Sequence, residues 1–195
     1  SSGGPGGANA DWIHINAIAY NPILDQIAFS SRHLDEIFII DHSTTTEEAA
    51  SHMGGNSGMG GDFLYRWGNP QNYNRGSNLD KKFESQHGIN WIPEGYPGAG
   101  NLILFNNGYT NNMSAAMEFI PPLNSNGLYD IIENQPYGPS DVIWMHTQNG
   151  VDSDVQSGAF RLPNGNTIIT EADDAYVFEV TMEGEVVWTY SHPGN

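Results

Sequence analysis

The stretch Gly158–Tyr190 reads GAFRLPNGNTIITEADDAYVFEVTMEGEVVWTY. It holds four short runs rich in β-branched and aromatic residues: Gly158–Leu162, Asn166–Thr170, Tyr176–Val180 and Glu185–Tyr190. Pro163-Asn164-Gly165 and Asp173-Asp174 stand between runs, and these are residue types that turn a chain. Four short strands joined by tight turns within about 40 residues are the sequence form of one propeller blade.

Upstream, the same order occurs twice more. Gly88–Ile92, Asn101–Phe105, Ala116–Ile120 and Val142–His146 form one set, and Ile15–Tyr20, Gln26–Ser31, Glu36–Asp41 and Phe63–Trp67 the other. Gly-Asn opens the second strand at Gly100-Asn101 and again at Gly165-Asn166, and Trp67, Trp144 and Trp188 each close a fourth strand. The repeat predicts an all-β chain of about three four-stranded antiparallel blades, over residues 11–68, 85–148 and 155–192. Ahead of them, residues 1–10 carry SSGGPGGAN and read as a flexible linker, as in the middle of a longer chain or after a cleavage. The insertions Ser43–Asp62 and Leu123–Asp141 swell the first two blades, and an irregular stretch Asn69–Glu84 joins them. Gly54–Gly61 (GGNSGMGG) lacks the Gly-Lys-Ser/Thr ending of a phosphate cradle and reads as a plain loop. Helix is expected only as a short turn near Thr46–His52. Since propellers generally need four to eight blades to close, the open faces are expected to be covered by other chains or by further blades.

Composition sets limits on partners. The formal net charge is −17, with six Lys and Arg in 195 residues, so the surface repels nucleic-acid phosphate and anionic lipid. Absence of cysteine excludes disulfides and Cys-based zinc sites. No apolar run approaches the roughly 20 residues that span a bilayer as a helix.

Three positions share one place in the repeat. His14 and His87 stand where first strands begin, and Ser157 takes the corresponding position in the third blade. First strands are innermost in a propeller, so these residues face the central channel. Arg32 directly follows a strand of Ile, Ala, Phe and Ser, where a guanidinium fork is suited to an oxyanion. His33, His42, His52, His146 and His192 have no paired spacing and read as surface or turn residues. Asp152-Ser153-Asp154 resembles the start of a calcium loop, with Asp152 and Asp154 as weak ligands and no completing Glu. Asn112-Met113-Ser114 fits an N-glycosylation sequon.

Asp11-Trp12-Ile13-His14-Ile15-Asn16, then Ser30-Ser31-Arg32, Arg66-Trp67-Gly68 and Phe83-Glu84-Ser85-Gln86-His87, together resemble the aryl-sulfate sulfotransferases. Leu162–Thr167, Phe178–Val180 and Val187–Tyr190 are similar in the third blade. The resemblance implies a six-bladed propeller, periplasmic or extracellular, of which this chain holds about three central-to-late blades. It implies transfer of a sulfuryl group from a phenolic sulfate ester to a phenol through a sulfohistidine, with no nucleotide donor and no cofactor. On it, His87 is the transiently sulfated nucleophile, His14, Asn16 and Arg32 bind sulfuryl oxygens, and Ser157 contributes. A further channel histidine is implied on a blade ahead of this chain. The partners would be the sulfate donor, the phenol acceptor, and blades or chains that complete the ring. A non-catalytic extracellular propeller module for binding or assembly is the alternative.

Overall fold

The computed structural model describes residues 11–110 and 112–193; the linker expected at residues 1–10 lies outside them. Twelve strands make three four-stranded antiparallel sheets, each in simple meander order. The first blade holds β1 (Ile15–Asn21), β2 (Gln26–Ser31), β3 (Glu36–Asp41) and β4 (Tyr65–Trp67). The second holds β5 (His87–Trp91), β6 (Leu102–Thr110), β7 (Met113–Phe119) and β8 (Trp144–His146). β9 (Gly158–Arg161), β10 (Thr167–Glu171), β11 (Tyr176–Val180) and β12 (Val186–Ser191) form the third. These are propeller blades, as the repeat predicts. The single α-helix among the described residues, α1 (Thr46–Ala49), is closed by a capping box between Thr45 and Glu48.

The turns explain why the strands end where they do. Asn21 Oδ1 accepts from the backbone N–H of Ile23 and Leu24, and Glu171 does the same for Asp173 and Asp174. Within the Ser43–Asp62 insertion, the glycine loop wraps a side chain of its own blade. The Asp41 carboxylate accepts from Ser43 and from the Ser57 N–H, and a Cβ on Gly55 would fall 2.5 Å from Asp41 Oδ2. The loop is thus ordered around an acidic side chain of its own blade.

Alternate residues of each strand face the next blade, so two apolar seams hold the three blades together. The first seam packs Ile37, Ile39, Tyr65 and Trp67 against Ile89, Leu104, Met117 and Phe119. Leu123–Asp141 folds back over it: Tyr65 donates to the Gly138 carbonyl, the Trp67 indole to that of Pro139, and Tyr129 to Gln26. The second seam packs Ile103, Phe105 and Trp144 against Ala159, Ile169 and Phe178. Across it a buried Arg161–Glu118 ion pair lies under the Trp144 ring. An asparagine staples each seam near the innermost strands. Asn16 Nδ2 donates to the Gln86 carbonyl at 2.7 Å, and Asn90 Nδ2 to the Ala159 carbonyl at 2.9 Å. Both lie at or beside a break in strand register that turns the side chain outward.

At each end of the arc a sheet face stays open. Ile18, Tyr20 and Phe63 line it on the first blade, and Phe160, Trp188 and Tyr190 on the third. Trp67 and Trp144 are buried in seams, whereas Trp188, in the same place of the repeat, is 48% exposed. Among the described residues no further sheet packs against it.

Candidate active site

β5 begins with His87, which is 7% exposed. Its Nδ1 lies 2.8 Å from Asn107 Oδ1 and 2.9 Å from the Ser85 carbonyl. Both partners are acceptors, so Nδ1 carries the proton and donates it. Nε2 then bears the lone pair, and it makes no hydrogen bond among the described residues. Asn107 is itself fixed, because its Nδ2 donates to the carbonyls of Ser153 and Gln156. Burial lowers the His87 pKa below the usual histidine value, and the nearby Arg32 and His14 side chains add to the effect against the two hydrogen bonds. The ring is therefore neutral and basic at Nε2 near pH 7.

The first blade brings three of the sequence-derived residues to the seam beside it. His14 immediately precedes β1 in a left-handed conformation (φ 46°), and its carbonyl accepts from the Arg32 N–H at 3.0 Å. That bond ties the start of β1 to the end of β2. The Asp11 carboxylate lies 2.5 Å from His14 Nδ1, and this hydrogen bond holds the Asp11 pKa below its usual value. Arg32 Nη2 reaches the Asp154 carbonyl at 3.4 Å. Among the described residues Arg32 forms no ion pair, whereas Arg66, Lys81 and Arg161 each hold a carboxylate. Asn16 spends its donor on the Gln86 carbonyl, and its buried Oδ1 has no partner. Its amide thus acts on the backbone that precedes His87. Gln86 locks the same corner by donating to Ser30 Oγ and to the carbonyls of Ser31 and Glu36.

Ser157 stands just ahead of β9 at φ 74°. Its hydroxyl faces its own loop, 3.0 Å from Ser153 Oγ, and accepts from the Ala172 N–H. The Ser157 backbone reaches the second blade: a Cβ on Gly88 would sit 3.2 Å from the Ser157 carbonyl and 3.1 Å from Gly158 Cα. Only glycine lets the third blade approach so closely next to His87. Asp152 and Asp154 are exposed and join no three-ligand group among the described residues; Asp154 donates its N–H to Asp173. The three-residue group found among them is Asp11, His14 and His33. Asn107 escaped the sequence reading. Its signal is the pair Asn106-Asn107 that ends the apolar run LILF, two polar amides on a strand that is buried over that length.

The arrangement is chemically clear. A neutral imidazole with a fixed tautomer has a guanidinium and a second histidine within electrostatic reach. Such a group can attack an electrophile that carries negative oxygens.

A family model described as Arylsulfotransferase (ASST) matches residues 2–127. His14, Asn16, Arg32, His87 and Asn107 lie within that match, and Ser157 lies beyond it. No curated protein matches the chain. Among solved structures, a protein of unknown function from Bacteroides caccae is 12% identical, with 93% of this chain and 47% of that one covered at a TM-score of 0.50. A streptogramin B lyase is 12% identical over 96% of this chain and 58% of its own, at a TM-score of 0.41. The virginiamycin B lyase of Staphylococcus aureus is 12% identical over 92% and 56%, at a TM-score of 0.38. At such identity a likeness concerns the fold alone. The chain spans about half the length of these structures.

Proposed function

Because the chain belongs to the arylsulfotransferase family, we propose that it works in sulfuryl transfer from a phenolic sulfate to a phenol, with His87 as the group that carries the sulfuryl. The observation that carries this reading is the fixed tautomer of His87, with Nδ1 donating to Asn107 and Ser85 and Nε2 left without a partner. Nε2 attacks sulfur, the sulfur–oxygen bond to the aryl group breaks, and phenolate leaves. As the nitrogen–sulfur bond forms, the ring becomes positive. The two acceptors on Nδ1–H then bind it more strongly, so they stabilise the transition state more than the ground state. In the second half the acceptor phenol attacks sulfur, its proton passes to solvent, the nitrogen–sulfur bond breaks, and neutral His87 returns.

Arg32 supplies positive charge for the sulfuryl oxygens, free of any carboxylate among the described residues. His14, whose Nδ1 is held by the Asp11 carboxylate, supplies a second donor from Nε2 in its protonated form. Asn16 acts as a positioning residue through the Gln86 carbonyl. We read the open apolar faces at both ends of the arc as seats for further blades, from a longer chain or from a partner. The setting we propose is periplasmic or extracellular.

The test is peptide mass spectrometry after exposure to an aryl sulfate that releases a coloured phenol. One sulfuryl group is expected on the peptide that contains His87, with none in His87→Ala. Phenol release that continues in His87→Ala would overturn the reading, and a protein without turnover or labelling would favour the binding module.

A further inference from the structure

We propose that Asp11, His14 and His33 form a binding site for a divalent transition-metal ion of the zinc class. One ligand atom from each residue lies within 4.8 Å of the other two. Two imidazoles and a carboxylate are a donor set that zinc accepts, with a fourth position left to water. Ligands held about 2.0–2.2 Å from zinc stand about 3.4 Å apart in a tetrahedron. The His14–Asp11 contact, now 2.5 Å, would widen and the longest separation would close. Such shifts are small for these side chains, since all three residues are partly or fully exposed.

The backbone brings the group together from two strands. Asp11 and His14 flank one turn ahead of β1, while His33 follows β2. The Arg32–His14 backbone bond and the Ser31 hydroxyl on the Ile13 carbonyl hold the two chain segments side by side. The His14 and His33 rings come to 4.9 Å between centroids. His33 Nδ1 donates to the Asp11 carbonyl at 2.7 Å, which fixes its tautomer and leaves Nε2 a lone pair. A ligating histidine is commonly oriented in this way, by its other nitrogen on a backbone carbonyl. Among the described residues two further exposed His–Asp pairs occur, His42–Asp25 and His52–Asp62, and neither has a third ligand there. They are therefore internal controls.

The experiment is a calorimetric titration of the full chain with zinc chloride, with thermal unfolding followed in parallel. One zinc per chain is expected, along with a rise in melting temperature, because the ion ties the start of β1 to the end of β2. His33→Ala and Asp11→Asn should each weaken binding by at least about tenfold and remove the thermal shift. His42→Ala and His52→Ala should leave both unchanged. No binding to the wild type, binding that survives His33→Ala and Asp11→Asn, or binding lost in His42→Ala would overturn the proposal. All of these readouts are independent of sulfuryl transfer.

Discussion

Replacing Asn107 by Ala and by Asp should move the titration of His87 in opposite directions. In the native site the Nδ1 proton is shared between Asn107 Oδ1 at 2.8 Å and the Ser85 carbonyl at 2.9 Å. A hydrogen bond from a charged group contributes about 1.5–3 kcal/mol. One acceptor remains after Asn107→Ala, so the loss falls near the low end, about 1.4 kcal/mol, or tenfold in the protonation equilibrium. The imidazolium becomes harder to form, and the acidic limb of the rate profile moves to lower pH. The plateau should also fall, by about a hundredfold, because the ring is freed from its attack geometry. Asn107→Asp places a carboxylate against Nδ1–H, which favours the imidazolium and moves the limb to higher pH. Both variants also lose the donors to Ser153 and Gln156, so circular dichroism should accompany each profile. The assays are imidazole NMR titration, which needs no turnover, and the pH dependence of phenol release. Unchanged titration in both variants, or shifts in one direction, would refute the assigned tautomer.

Arg32→Ala should lose about 2–4 kcal/mol of transition-state stabilisation in kcat/KM while chemical denaturation barely changes, since its one side-chain hydrogen bond among the described residues is long at 3.4 Å and its backbone bond to His14 survives the substitution; equal activity would remove Arg32 from the site. Arg161→Ala leaves Glu118 buried without its cation and should cost about 3–5 kcal/mol in urea unfolding, whereas a loss under about 1 kcal/mol would show that water reaches the second seam. Burial lowers the pKa of both His87 and His146. The unfolded chain thus takes up protons below about pH 6.5 that the folded chain refuses, and stability falls as pH drops through that region. The fall between about pH 7.5 and about pH 5.5 should be smaller in His146→Gln, and an identical slope would contradict it.

Repeat periodicity made the blades legible, because β-branched runs and turn residues recur at fixed offsets and strand register follows from them. Gln26–Ser31, Glu36–Asp41 and Tyr176–Val180 have the bounds that the sequence predicts. Short fourth strands were less legible: β4 and β8 begin two residues later than their apolar runs. Phe63 and Val142 lie ahead of them, since pairing there depends on the insertion loops and not on local pattern. For the site, the histidines stood out by their shared place in the repeat and Arg32 because the chain has only six Lys and Arg. Donor direction did not. Asn16 turns to the Gln86 carbonyl and the Ser157 hydroxyl turns to Ser153, and both choices follow from register breaks and left-handed turns in neighbouring blades. Asn107 and His33 each act through a partner distant in sequence, which no spacing along the chain reveals.

The first seam has a mechanical consequence. Arg32 and His14 belong to one sheet and His87 to the next, so a tilt of one blade on the other would change the distance between anion donors and nucleophile without altering either sheet. Asn16 and Gln86 are the struts that oppose such a tilt: Asn16 bonds the Gln86 carbonyl, and the Gln86 amide reaches Ser30, Ser31 and Glu36 across the joint just ahead of His87. The site is then a gauge of how well the blades are seated. A ligand bound across the joint would brace it, and a load applied at the open face of the first blade would cross this seam before the second.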